Sequence, residues 1–189
     1  MTDAGARDLE ITRTLDASRA AVWRCWAEPE LLKKWYCPRP WYVAHAEFDL
    51  RPGGASYIVM NGPNGEENKL PGQYLEAVEG ARLVFTDAFD GDWRPANGKP
   101  FMVGYLELED APGGKTRMVW GARHWSEEDL RKHLAMGFEQ GWNAAKRLAQ
   151  SMSAFRSSGL GTPAIRRCGF TLRTAVDSPQ RTQRSQRRE

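Results

Sequence analysis

The chain has 189 residues, 41 % of them hydrophobic and 11 % aromatic, which is enough for one domain with a well-filled core. No stretch approaches the roughly 18 to 20 unbroken apolar residues that a membrane span needs, and three cysteines at unpatterned spacing argue against a disulfide framework or a CxxC metal knuckle. The net charge of +3 conceals an uneven distribution. Residues 151–189 hold eight arginines and two acids, net +6, so the remaining 19 basic and 22 acidic groups give residues 1–150 a net of −3 and no basic stripe for nucleic acid.

Met1 to Asp8 carries acids and no apolar run, so no secretory leader is expected. Cys25, Cys37 and Cys168 read as free thiols in a reducing compartment, which makes the cytoplasm the expected location. Leu9, Ile11, Arg13 and Leu15 alternate with Glu10, Thr12 and Thr14 as a first strand. Asp16 or Ser18 can cap a helix that carries Ala21, Val22, Cys25 and Trp26 at helical spacing. Glu28-Pro29 breaks it, and Pro29 suits the first turn of a second short helix running to Trp35.

Strands are predicted at Tyr42–Leu50, Ala55–Met60, Gly72–Val78, Arg82–Ala88, Phe101–Glu109 and Lys115–Arg123. The turns between them, such as Arg51-Pro52-Gly53-Gly54 and Asn61-Gly62-Pro63-Asn64-Gly65, are short, and parallel neighbours would need long crossovers. Phe89 to Pro100 reads as one long Gly/Pro/Asn loop. The result is an antiparallel meander. Glu107, Glu109, Lys115, Arg117 and Arg123 mark a wet face, which leaves Leu106, Leu108, Met118, Trp120 and Ala122 inward.

A long final helix should cover that inner face. Ser126 caps it, acids fill its first turn, and an apolar stripe runs from Leu130 through Leu134, Phe138 and Trp142 to Ala149. Gly137 and Gly141 notch the stripe and would leave close approach or free volume above the sheet. Residues 1–150 are therefore expected as one ligand-binding α+β domain, and residues 151–189 as a basic Arg/Ser-rich tail, disordered or loosely attached.

Six segments sharpen this picture: Ala20-Ala21-Val22-Trp23, Pro29 to Trp35, Phe48 to Gly54, Asn61 to Gly65, Leu83-Val84-Phe85-Thr86, and Gly137 to Trp142. Through them the chain resembles the SRPBCC superfamily, which includes START-like lipid-transfer proteins and polyketide cyclases. Within it the chain is similar to the branch related to the activator of heat-shock protein 90 ATPase. Gly114-Lys115-Thr116 departs slightly from the Gly-Thr pair usual there. The resemblance implies a helix-grip fold: a curved antiparallel β-sheet wrapped around a long C-terminal helix, with two short helices after the first strand. It also implies a cavity between sheet and helix for an apolar or amphipathic ligand, and it implies no shared reaction.

The expected lining is Trp35, Tyr57, Phe85, Met118, Trp120, Phe138 and Trp142. The alternative for each of them is plain core filling. No catalytic residue, metal ligand or cofactor is assigned. His124, Glu127, Glu128 and His133 lack the spacing of a zinc motif, and no GxSxG surrounds a serine. If catalysis occurs, Tyr57, Tyr74, Asp87 and His124 are the candidates, while Asp49 and Arg51 read as structural partners at a glycine turn. The expected partner is a small hydrophobic molecule, with no nucleic acid and no membrane span. A homodimer is compatible with the sequence. The second reading is a cyclase, dehydratase or hydrolase of an apolar substrate. Interaction with a chaperone is the least favoured.

Overall fold

The computed structural model describes residues 7–37 and 39–136, all within the compact unit Met1–Gly159. The elements are β1 (Asp8–Leu15), α1 (Arg19–Ala27), α2 (Pro29–Leu32), β2 (Tyr42–Phe48), β3 (Ala55–Asn61), β4 (Glu67–Val78), β5 (Arg82–Thr86), β6 (Met102–Ala111), β7 (Lys115–His124) and α3 (Glu127–Ala135). All seven strands form one antiparallel sheet in the order β1-β7-β6-β5-β4-β3-β2. The order is a meander from β2 to β7, closed by β1 against β7. Bulges in β2, between Val43 and His45, and in β4, between Tyr74 and Glu76, bend the sheet. With the short helices after β1 and a helix after β7, this is the helix-grip fold.

Two helix starts and the start of β4 have local causes. Ser18 Oγ accepts from Ala21 N and Ser126 Oγ from Asp129 N, so both predicted serine caps operate. β4 begins at Glu67, five residues before the predicted Gly72, and so contains Pro71. Proline is tolerated there because β5 covers β4 only from Gln73 onward, leaving that edge open at Pro71.

The two faces of the sheet divide as the alternation requires. Inward lie Ile11, Leu83, Leu106 (0 % exposed), Leu108, Met118 (1 %) and Ala122. Outward, Arg82 pairs with Glu76 at 2.9 Å and with Glu107, Arg117 with Glu109, and Arg123 with Asp8. These outer pairs are exposed enough to be worth little each. The inner face carries the stability. α1 lies against β6 and β7 and buries Val22, Trp23, Cys25 and Trp26. Trp26 meets Trp35 and Trp120 edge-on, with centroids 4.7 Å and 5.2 Å away. Trp35 is 1 % exposed, and its Nε1 donates to the carbonyl of Cys25 at 3.1 Å.

α3 starts where expected, but its first turns dock through polar groups. Asp129 is buried, whereas Leu134, on the predicted stripe, is 39 % exposed. The rest of the stripe, including Gly137, Phe138, Gly141 and Trp142, lies outside the described residues, as does the predicted tail 151–189.

Trp35 ties α1, the segment after α2 and the inner core together. Trp35→Ala should therefore cost about 3–5 kcal/mol, measured by chemical denaturation, through lost burial and an emptied site. A loss below about 1 kcal/mol would show that this cluster does not hold the helices to the sheet.

Candidate functional site

The described residues leave part of the inner face unfilled. Between the ends of β3 to β6 and the long β5–β6 connection lies a cavity of about 450 Å³. Its floor is Ser56 and Ile58 from β3, Leu70 and Gly72 from β4, Phe85 from β5 and Met102 from β6. Tyr36 closes one side. The outer wall and rim come from the connection itself, through Asp87, Asp90, Asn97, Lys99 and Phe101, with Lys69 across the opening. A smaller volume of about 30 Å³ shares Tyr36, Ser56, Ile58 and Phe85 with this lining and is also bordered by Trp26, Phe48 and Tyr74.

The wall is held at its base and at its tip. At the base, the Asp87 carboxylate accepts from Phe101 N at 2.9 and 3.0 Å and from Met102 N at 3.1 Å. Thr86 Oγ1 donates to Met102 O at 2.9 Å and accepts from Ala88 N at 3.1 Å. At the tip, Asp92 N donates to Gly53 O at 2.7 Å and Trp93 N to Gln73 Oε1 at 2.7 Å. Gly53 has φ +83°, and a Cβ there would lie 2.7 Å from Trp93 Nε1, so only glycine lets the indole sit on the β2–β3 turn. Arg51 spans Asp49 at 2.7 Å and Asp92 at 3.3 Å, which is the structural pairing expected of these residues.

The cavity's polar groups are mostly committed or neutral. Burial, aided by Cys37, pushes the Tyr36 phenol up to about 12. Burial likewise pushes Tyr74 well above its ordinary range, against a Ser56 hydrogen bond that acts the other way. Both therefore stay neutral hydroxyls near neutral pH. Lys99 pairs with Asp129 at 3.0 Å and Lys69 with Glu67 at 2.8 Å. Burial also raises Cys25, to about 11, which keeps it an unreactive thiol.

Behind Phe101 stands a histidine pair. Phe101 packs on His124 and His133, with centroids 5.6 and 5.4 Å away. A carbonyl only accepts, so His124 Nδ1–H donates to Arg7 O at 3.0 Å. Its Nε2 lies 2.8 Å from His133 Nδ1, within hydrogen-bond distance. Among the described residues no group of three or more His, Cys, Asp or Glu is arranged to hold a metal ion.

Of the residues predicted to line a pocket, Phe85 borders both volumes. Trp35, Met118 and Trp120 are packed among themselves and Trp26 in the core cluster and do not border the larger cavity. Tyr57 alternates with Ser56 and Ile58 and so occupies the opposite face, near His45. The run Tyr57-Ile58-Val59-Met60 is apolar on both faces, with Ile58 and Val59 both buried, so its alternation did not reveal which side faces in. Phe138 and Trp142 lie outside the described residues. Sequence reasoning missed Tyr36, Leu70, Phe101 and Met102. Only the β3–β4 register, pairing Ser56 with Gly72 and Ile58 with Leu70, groups the floor.

A family model for Activator of Hsp90 ATPase homolog 1-like proteins matches residues 16–152. The chain belongs to this family, within the SRPBCC superfamily. A solved protein of Nitrosomonas europaea is 35 % identical with a TM-score of 0.75, over 81 % of this chain and 98 % of that one. A Mycobacterium smegmatis protein is 26 % identical with a TM-score of 0.64, over 82 % and 93 %. A Rhodobacter sphaeroides protein at 23 % identity and a TM-score of 0.68, over 80 % and 95 %, shares the fold. No curated protein matches the chain. No helix among the described residues of this family member is long and apolar enough to cross a membrane.

The histidine pair carries a pH dependence. Burial first, and His124 second, hold His133 down at about 4. A folded value below the ordinary 6.5 means that stability from a neutral His133 is complete above about pH 6.5 and is lost as pH falls toward 4. Asp129, Lys99 and Lys132 surround the pair, so other groups titrate nearby. His133→Gln should flatten the wild-type loss of melting temperature between pH 6.5 and pH 4, and coincident curves for the two proteins would contradict the assignment.

Proposed function

We propose that this protein binds a small hydrophobic or amphipathic molecule in the cavity beneath the β5–β6 connection. The observation that carries the reading is the volume of about 450 Å³ with an apolar floor and a polar rim. That size and composition suit a ligand whose body is covered and whose orientation is set by a few polar groups. The shape has a physical origin. Phe85 and Ile58 face a connection whose backbone is braced at Asp87 and at Gly53, so the wall stands off from the floor instead of collapsing onto it.

An enzyme of the cyclase, dehydratase or hydrolase type would need a free base or nucleophile at the cavity. Asp87, the carboxylate best placed on the wall, is spent on the backbone N–H groups of Phe101 and Met102. Tyr74 and Tyr36 are held neutral by burial and serve as hydrogen-bond donors rather than bases. These facts favour binding over turnover. Association with a chaperone rests on the family's description alone.

Thermal shift and native mass spectrometry against a panel of aromatics, long-chain esters and polyketide-like compounds test the reading. A ligand at about 100 times its Kd should raise the melting temperature by about 5–10 °C. Leu70→Trp, which fills the floor, should abolish the shift while leaving the protein folded. A panel without a single stabilising compound, or an undiminished shift in Leu70→Trp, would refute it.

A further inference from the structure

Next to the cavity stands an unanswered hydrogen-bond donor. Trp26 is 4 % exposed, and its Nε1–H has no acceptor among the described residues. Its neighbour Trp35 shows what the fold normally supplies, since that indole donates to a backbone carbonyl at 3.1 Å. An indole N–H can only donate, and a buried donor left unpaired costs about 1–3 kcal/mol. Native proteins rarely keep one without a reason. Trp26 borders the inner volume of about 30 Å³, which shares Tyr36, Ser56, Ile58 and Phe85 with the lining of the main cavity. That volume admits one or two heavy atoms and no ring, since a single water needs about 10–15 Å³ by this measure.

We infer that the occupant's buried end carries a neutral acceptor oxygen of the carbonyl type, which accepts from Trp26 Nε1–H. The inference rests on the binding reading above and specifies its ligand. The acceptor is neutral because no Asp, Glu, Lys or Arg among the described residues borders the inner volume. An ionised group there would be desolvated without a counter-charge. Tyr36 borders the same volume and, held neutral by burial, is a second hydroxyl donor within the pocket wall. Charge is confined to the outer rim, at Asp87, Asp90, Lys69 and Lys99. A ligand matching both ends is a ketone, ester or quinone-like compound, with its carbonyl inward, its apolar body on Ile58 and Phe85, and any ionic group outward.

The test uses two probes of one shape, 1-tetralone and its hydrocarbon tetralin, with the full chain and Trp26→Phe. Wild type should bind the ketone about tenfold more tightly than the hydrocarbon, the effect of about one satisfied buried donor. Trp26→Phe should erase that preference, bringing the ratio of the two affinities to about one whatever its effect on the affinity for either probe alone. In wild type, the indole N–H resonance of Trp26 should move downfield with 1-tetralone and stay in place with tetralin, a readout that does not depend on the variant folding. Equal affinity for the two probes with an unmoved resonance would overturn the carbonyl inference, leave the cavity reading intact and point to a bound water as the acceptor. Failure of both probes together with the whole apolar panel would overturn the cavity reading and this inference with it.

Discussion

The structure depends on the one-sidedness of its sheet. β6 and β7 alternate inner apolar residues such as Leu106, Leu108, Met118 and Ala122 with outer ones, and the outer row includes ion pairs such as Arg82 with Glu76 and Glu107. The inner row must be covered by something else. Over β6 and β7 the cover is α1, where Trp26, Trp35 and Trp120 interlock. Over the ends of β3, β4 and β5 the described residues that face the sheet are those of the β5–β6 connection, and between the two lies a cavity.

A connection of that length can serve as a wall only if its backbone groups are satisfied. Asp87 does this at one end by accepting from two consecutive N–H groups. At the tip Gly53 O and Gln73 Oε1 do it for Asp92 N and Trp93 N, and Arg51 adds an ion pair to the Asp92 side chain. The β2–β3 turn thus has a role that its own strands do not explain: its missing side chain at Gly53 is the seat for Trp93. A similar device operates inside the sheet, where the ring of Phe85 occupies the space a side chain at Gly104 would need, and so lies over β6 at the cavity floor. The cavity is therefore bounded by parts far apart in the chain, with β3, β5 and residues 96–99 meeting around one volume.

That distance in sequence also decides what could be read in advance. Seven strands, the antiparallel order, both serine caps and the inward set Leu106, Leu108, Met118 and Ala122 were legible, because turns and period-two alternation are local signals. The extension of β4 back to Glu67 was not, since Pro71 reads as a stop unless the open edge beside it is known. Tyr57 was misplaced to the inner face because β3 is apolar on both sides. Aromatic content pointed to the Trp26–Trp35–Trp120 cluster, whose members pack on one another, while Tyr36, Leu70 and Asp87 line the cavity only through long-range register and loop contacts. Likewise, Asp129 and His133 dock the start of α3 through contacts with Lys99 and His124 that no helical period encodes.

The central claim is that the braced β5–β6 connection holds open space above Ile58, Leu70 and Phe85. A crystal structure of the full chain under xenon pressure measures this directly, since apolar cavities of this size take up xenon. The account predicts xenon density in contact with those three side chains and beneath Phe101. Side chains or backbone of the 87–101 segment in van der Waals contact with all three, and no xenon between them, would contradict it.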